Sequence, residues 1–163
     1  MTHAVEKLPP FKHNRIRESY LLWMKSMLGQ PTHAVTLTFK RFDKSSGDCW
    51  SIEIVQKACR VFLGILNKKI FGNAATRKRR CIGSAVIIGR GRYKCNPHAH
   101  FALVSPRKIS QDHFKKLIHA SASLIWWVKG RGHVQAYWSE GWLSYMIDHG
   151  TESLMLDMCT QGK

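Results

Sequence analysis

Asn96-Pro97-His98-Ala99-His100-Phe101-Ala102-Leu103-Val104 is the stretch whose reading decides how the rest of the chain folds. In an extended strand, residues i and i+2 point to one face. Ala102 and Val104 therefore share a face with His98 and His100, and Phe101 and Leu103 take the other. An apolar run on both faces suits a strand buried on both sides. The two imidazoles project side by side at the mouth of that strand, which is half of a metal site. The same spacing fits a pair of hydrogen-bonded core histidines, and only the rest of the chain separates the two readings.

Outward from this strand, the periodicity predicts a single α+β domain. On the N-terminal side, Ile82 to Ile88 reads as a strand, and Arg90-Gly91-Arg92-Tyr93-Lys94 as a basic turn into the histidine strand. Ser51, with Glu53 and Ile54, opens a helix to about Lys69 that Gly72 and Asn73 end. His33 to Lys40 is rich in β-branched and aromatic residues. It predicts a strand with Val35, Leu37 and Phe39 on one face and Thr36 and Thr38 on the other. Before it, Asn14 to Leu28 predicts a helix with Ile16, Leu21, Met24 and Leu28 on its apolar face, closed by Gly29 and Pro31. On the C-terminal side, Ser110 starts a helix through about Trp127, Arg131 to Trp138 is a short strand, and Glu140 to about His149 is a final helix. The tail from Thr151 to Lys163 reads as helical or frayed. This order is that of a ferredoxin-like antiparallel sheet with helices packed mainly on one face. It divides the chain into an N-terminal helical extension (1–32), the main domain (33–150) and a C-terminal tail (151–163).

Composition narrows the partners. The chain has 163 residues, 44% of them hydrophobic, which is enough for a real core. Its 26 Lys and Arg against 10 Asp and Glu leave a formal charge of +16, and the sequence pI is near 10.1. Such a field attracts polyanions, nucleic acid first and an acidic membrane surface second. No stretch approaches the roughly 18 apolar residues of a span, and Met1 to Phe11 lacks the apolar core of a signal peptide. An intracellular, cytoplasmic protein is expected. The five cysteines include no Cys-x-x-Cys pair, which argues against a disulfide framework or a zinc finger. Cys95 with His98 and His100 could begin a zinc cluster, but a fourth ligand is not apparent.

Arg77-Lys78-Arg79-Arg80 is a compact run of cations that suits either a solvated loop or phosphate contact. The charge elsewhere favours phosphate. Arg90, Arg92 and Lys94 in the basic turn, with Lys40 and Arg41 after the threonine strand, extend the candidate nucleic-acid surface, and Tyr93 in that turn is placed to stack on a base.

Three segments together resemble a family. Thr36-Leu37-Thr38-Phe39, Pro97-His98-Ala99-His100 and the tyrosine of Trp142-Leu143-Ser144-Tyr145-Met146-Ile147-Asp148-His149 fall in the order and approximate spacing of the three motifs of HUH endonucleases. That family includes rolling-circle replication initiators of plasmids and phages and the small single-tyrosine transposases. The resemblance spans about residues 33 to 150. It implies a divalent cation, Mn²⁺ or Mg²⁺, on His98 and His100, and Tyr145 as the nucleophile. It also implies single-stranded DNA or a DNA hairpin as substrate, and a 5′-phosphotyrosyl intermediate with a free 3′-OH. The chemistry suits these residue types. A phenol, with an ordinary pKa near 10, is a weak nucleophile at neutral pH, and a cation that polarises the scissile phosphate supplies the activation. The chain carries no Gly-x4-Gly-Lys-Ser/Thr phosphate loop, so a helicase, if required, is a separate protein.

The chain departs from the family in two places. Many replication initiators carry a carboxylate ligand on the strand before the histidines, and Ile82 to Arg92 contains no Asp or Glu. The position three after the tyrosine, lysine in many initiators, is Asp148. On a helix, however, Tyr145 and His149 are i and i+4, on one face and about 6 Å apart along the axis. The small transposases place a metal-binding side chain there, which makes His149 the expected third ligand and Asp148 its substitute. Among the other tyrosines, Tyr137 beside Trp138 reads as core and Tyr20 belongs to the first helix; Tyr145, beside Trp142, could likewise simply pack. The rival reading from another class is a non-catalytic nucleic-acid-binding module on a ferredoxin-like sheet.

Overall fold

The computed structural model describes residues 10–40, 51–89, 97–137, 139, 141–148 and 154–162. Helix α1 (Pro10–Leu28) opens on a proline, whose missing N–H costs nothing in the first turn. It closes where Gly29, at φ 67°, donates its N–H to the Lys25 carbonyl at 3.0 Å. Strand β1 (His33–Thr38) follows. Helix α2 (Ile52–Phe71) is capped by Ser51, whose hydroxyl accepts from the Ile54 N–H. It ends at Gly72, φ 56°, and the one-turn helix α3 (Asn73–Arg77) comes next. Strands β2 (Gly83–Gly89) and β3 (His98–Val104) precede helix α4 (Gln111–Ala122), capped by Ser110. Strand β4 (His133–Ala136) and helix α5 (Gly141–Asp148) complete the order.

The four strands form one sheet in the order β2-β3-β1-β4. Every neighbouring pair is antiparallel. This is the ferredoxin-like α+β arrangement that the element order predicts. Val35 and Leu37 of β1, Val86 and Ile88 of β2, and Phe101 and Leu103 of β3 point to one side. There they bury the larger core with Val55, Phe62 and Leu66 of α2 and Phe114 and Ile118 of α4. Helices cover the second face as well, because Ala85, Ile87 and Ala102 leave an apolar strip there. Met24 and Leu28 of α1 and Leu143, Met146 and Ile147 of α5 close over it. Ile16, expected on the buried face of the first helix, is instead 41% exposed.

Two expected elements end differently. The helix predicted through Trp127 stops at Ala122. The Ser121 and Ser123 hydroxyls bond back to the Leu117 and His119 carbonyls, each at 2.8 Å, a pattern that weakens helix continuation. The chain then turns to bridge β1, Phe39 opposite Val128. The tail is not frayed over 154–162, and its helical part is one short turn. It runs along the free edge of β2, where Ser84 and Thr160 exchange backbone bonds of 2.9 and 2.8 Å and Met155 N–H reaches Val86 at 2.9 Å. A 3₁₀ turn, Leu156–Met158, interrupts it. An otherwise open strand edge is thereby partly covered. Among the described residues no helix is long and apolar enough to cross a membrane.

Candidate metal and nucleophile site

The sheet register assembles the site. On the central pair, His100 lies opposite Thr36 and His98 opposite Thr38. On the outer side of β3, Ile87 lies opposite His100 and Gly89 opposite His98. Residues directly opposite in an antiparallel pair share a face, so both histidines and both threonines stand on the α1/α5 side. The imidazole centroids of His98 and His100 are 4.7 Å apart. His100 is buried, 3% exposed, and its Nδ1 shares a hydrogen bond of 3.0 Å with the Thr36 hydroxyl. A metal on this ring would therefore bind through Nε2, with Thr36 orienting the ring from behind.

Gly89 gives His98 its room. A Cβ at this position would come within 2.8 Å of His98 Cε1 and closer still to Nε2. His133 of β4 lies opposite Thr36 and shares the face. Two strand spacings, about 10 Å, separate it from His100, too far to share one ion.

Helix α5 brings the tyrosine. Its buried side, Leu143, Met146 and Ile147, seats it over the second face. The Trp142 indole N–H pins it to β3 through the Phe101 carbonyl, 3.0 Å away. Trp142 and Tyr145, three residues apart, stack at 5.3 Å. The His100 ring lies 5.2 Å from each of them, edge to face. Tyr145 is 45% exposed, so it meets the His100 ring while the residue stays open to solvent. A recess of about 230 Å³, lined in part by Ala34, Gln135, Tyr137, Trp142 and Tyr145, opens beside it.

Asp148, the expected substitute ligand, is engaged in an ion pair. Its carboxylate accepts from Arg17 Nε of α1 at 2.6 Å, and the same guanidinium donates to Ser144 Oγ at 2.5 Å. The hydrogen bond to Asp148, reinforced by its charge, raises the Arg17 pKa. Asp148 thus ties α5 to α1 through Oδ1. His149, the expected third ligand, lies outside the described residues, as do Arg41, Arg90, Arg92, Tyr93, Lys94 and Cys95. Among the described residues no group of three or more His, Cys, Asp or Glu is gathered to hold an ion. His98 and His100 are the described part of the expected donor set. They fit two positions of a divalent site in residue type and closeness.

The basic residues divide. Arg77, Lys78, Arg79 and Arg80 are all exposed, but they precede β2, whose first residue pairs with Val104 and whose last pairs with His98. The length of β2, about 20 Å at the usual rise per residue, separates this run from the histidine mouth. Lys40 is exposed at the histidine end of β1, with Nζ 5.5 Å above the Trp126 ring. Tyr20 and Tyr137 pack against the second core, as core residues should. Burial pushes the Cys59 thiol up, and pushes Cys159 up to about 11, so neither provides a ready thiolate.

Sequence reasoning missed Gly89 and Trp142. A glycine ending a β-branched strand and a tryptophan three residues before the tyrosine were the available signals, but neither has meaning until the register is known. Comparison with known proteins adds nothing to these residues: no family model, no curated protein and no solved structure matches the chain significantly.

Proposed function

We propose that this protein is a metal-dependent, single-tyrosine DNA strand transferase of the HUH type. It would nick and rejoin single-stranded DNA, or the strand of a DNA hairpin, to initiate rolling-circle replication or to mobilise an element. The observation that carries this reading is the His100 ring packed between His98, at 4.7 Å, and Tyr145, at 5.2 Å. Two imidazoles suited to a divalent cation and a phenol on a helix are thus gathered on the face of one sheet.

In this mechanism His98 and His100 would hold a Mn²⁺ or Mg²⁺ ion, which would supply polarisation of the scissile phosphate and charge stabilisation, and Thr36 would fix the His100 ring. Trp142 positions the tyrosine by stacking. The Tyr145 oxygen forms the new bond to phosphorus as the bond to the 3′ oxygen breaks. The phenolic proton passes to solvent, and the departing 3′ oxygen takes one up. The phosphotyrosine conserves the phosphodiester energy, so the reverse attack by a 3′-OH rejoins the strand without ATP. A helicase would be a separate partner.

The test is a covalent one. Incubation with a labelled single-stranded library and Mn²⁺ should give a protein–DNA species that survives boiling in detergent. Tyr145→Phe should abolish it while DNA affinity and fold persist, because only the phenolic oxygen is removed. A link mapped to Tyr137 or Tyr93 would keep the chemistry and refute the site. No link over many sequences, with binding intact, would assign the chain to the non-catalytic nucleic-acid-binding class.

A further inference from the structure

We infer that Trp126, with Lys40 over its ring and Lys129 and Arg131 exposed a few residues further along the chain, is a stacking platform for a base of single-stranded nucleic acid beside the histidine mouth. The inference rests on the nucleic-acid-binding part of the reading above and not on its chemistry.

The support beneath Trp126 is rigid. After α4 the chain returns to β1, where Lys40 N–H donates to the Trp127 carbonyl at 2.9 Å and Lys129 N–H to the Thr38 carbonyl at 2.7 Å. Val128 between them is buried in the larger core. Further along, His119 Nδ1 meets the Arg131 carbonyl at 3.0 Å. Of the two consecutive tryptophans, Trp127 packs against the core, whereas Trp126 is 57% exposed. The two rings are 5.5 Å apart and tilted. A large aromatic held outward on a pinned backbone offers a π-face without first having to be ordered.

The charge around it selects the ligand. Lys40 Nζ lies 5.5 Å from the indole centroid, and Lys40, Lys129 and Arg131 are all exposed. No acidic residue occurs between Asp112 and Glu140, so this segment of the chain holds no carboxylate to neutralise them. Aromatic faces interleaved with cations are the arrangement that binds single strands, base on ring and phosphate on cation. A duplex hides its base faces and cannot use the ring in this way.

The position suits a strand already engaged at the histidines. Thr38 pairs with His98, and the Trp127–Lys129 backbone occupies the next place beyond β1. Two strand spacings, about 10 Å, therefore separate the platform's backbone from the histidine strand. A strand of about one or two nucleotides spans that distance.

The test uses the full chain carrying Tyr145→Phe, with chelator present, and measures affinity for a labelled oligothymidine by anisotropy. Trp126→Ala should weaken binding about 5- to 150-fold, and Trp126→Phe should restore most of it. Affinity for duplex of the same length should change little. Irradiating a 5-bromodeoxyuridine oligonucleotide should place the cross-link on Trp126 by mass spectrometry. Unchanged single-strand affinity in Trp126→Ala, an equal loss for duplex, or a cross-link confined to other residues would each overturn the platform. The two readings fail separately: unchanged affinity on adding Trp126→Ala to the Tyr145→Phe chain, when the chain that keeps Tyr145 forms its adduct with Mn²⁺, removes only the platform. A Trp126 effect without any adduct removes only the chemistry.

Discussion

The two faces of the sheet obey different rules. On the α2/α4 face, Val35, Leu37, Val86, Ile88, Phe101 and Leu103 are all fully buried, and every side chain can be accounted for by packing. On the opposite face, apolar residues occupy one end, Ala85 and Ala102, while Thr36, Thr38, His98 and His100 occupy the other, with Gly89 beneath the His98 ring. A histidine buried to 3% exposure contributes little to a core that an aliphatic side chain would fill, and it must be hydrogen-bonded to be tolerated. The difference teaches that one strand, β3, separates core packing from the proposed site between its alternate residues: Phe101 belongs to the core and His100 to the face where the site is proposed.

Substitutions on the two faces should therefore break different things. Phe101 is fully buried against Phe62, ring centroids 5.1 Å apart. Phe101→Ala should cost about 3–5 kcal/mol of unfolding free energy, measured by chemical denaturation. Tyr145→Phe, on a half-exposed position, should leave the denaturation midpoint nearly unchanged while eliminating the covalent adduct. Equal stability losses in the two variants would erase the distinction.

Gly89→Ala sharpens the comparison within the functional face. The added methyl must displace the His98 ring, because the Cβ position is already taken by imidazole atoms. The ring can move, so stability should fall only slightly. Metal affinity, followed by Mn²⁺ titration, should drop by about 10- to 100-fold, as when a ligand's orientation is lost. Raising Mn²⁺ should partly restore cleavage, which no metal concentration can do for Tyr145→Phe.

The remoteness of Arg77 to Arg80 makes a third, smaller prediction. Each phosphate contact removed should reduce the slope of log affinity against log salt by about 0.7 for a single strand. The rate of adduct formation at saturating DNA should be unaltered, since the run stands a strand's length from the histidines. An unchanged slope would assign it to solvent.

The smallest effect concerns a histidine on the structural face. His33 is 2% exposed, edge-on to Phe114 at 4.9 Å, with Nε2 against the Gln111 carbonyl at 3.2 Å. Burial lowers its pKa, opposed by that hydrogen bond and aided by the Lys115 charge. The unfolded chain then binds the proton more readily than the folded one. The His33 contribution is complete above the unfolded value near 6.5 and is lost as pH falls through the lower folded value. One such group changes stability by at most about 1.4 kcal/mol per pH unit. His33→Leu should flatten the decline of the midpoint as pH falls below about 6.5, and an identical slope in the variant would show that other groups govern it.

The sequence by itself determined the elements and the class of fold. Strand alternation and helix caps are local: Ser51, Gly72, Ser110 and the β-branched run of β1 act within a few residues of themselves, so the α+β order could be read without the partners. The His98–His100 pairing followed from the same two-residue period. Tertiary structure alone decided what depends on register and on chain return. That Thr36 would stand opposite His100, that Gly89 would lie beneath His98, and that Trp142 would reach the Phe101 carbonyl are pairings across many residues of chain. The early stop of α4 and the docking of 154–162 on β2 have the same origin, since a backbone that can satisfy its hydrogen bonds on a sheet edge need not continue as helix. Asp148 shows the physical reason most directly. Its place after the tyrosine suggested a ligand, and its ion pair is with a guanidinium on α1 that no local pattern connects to it.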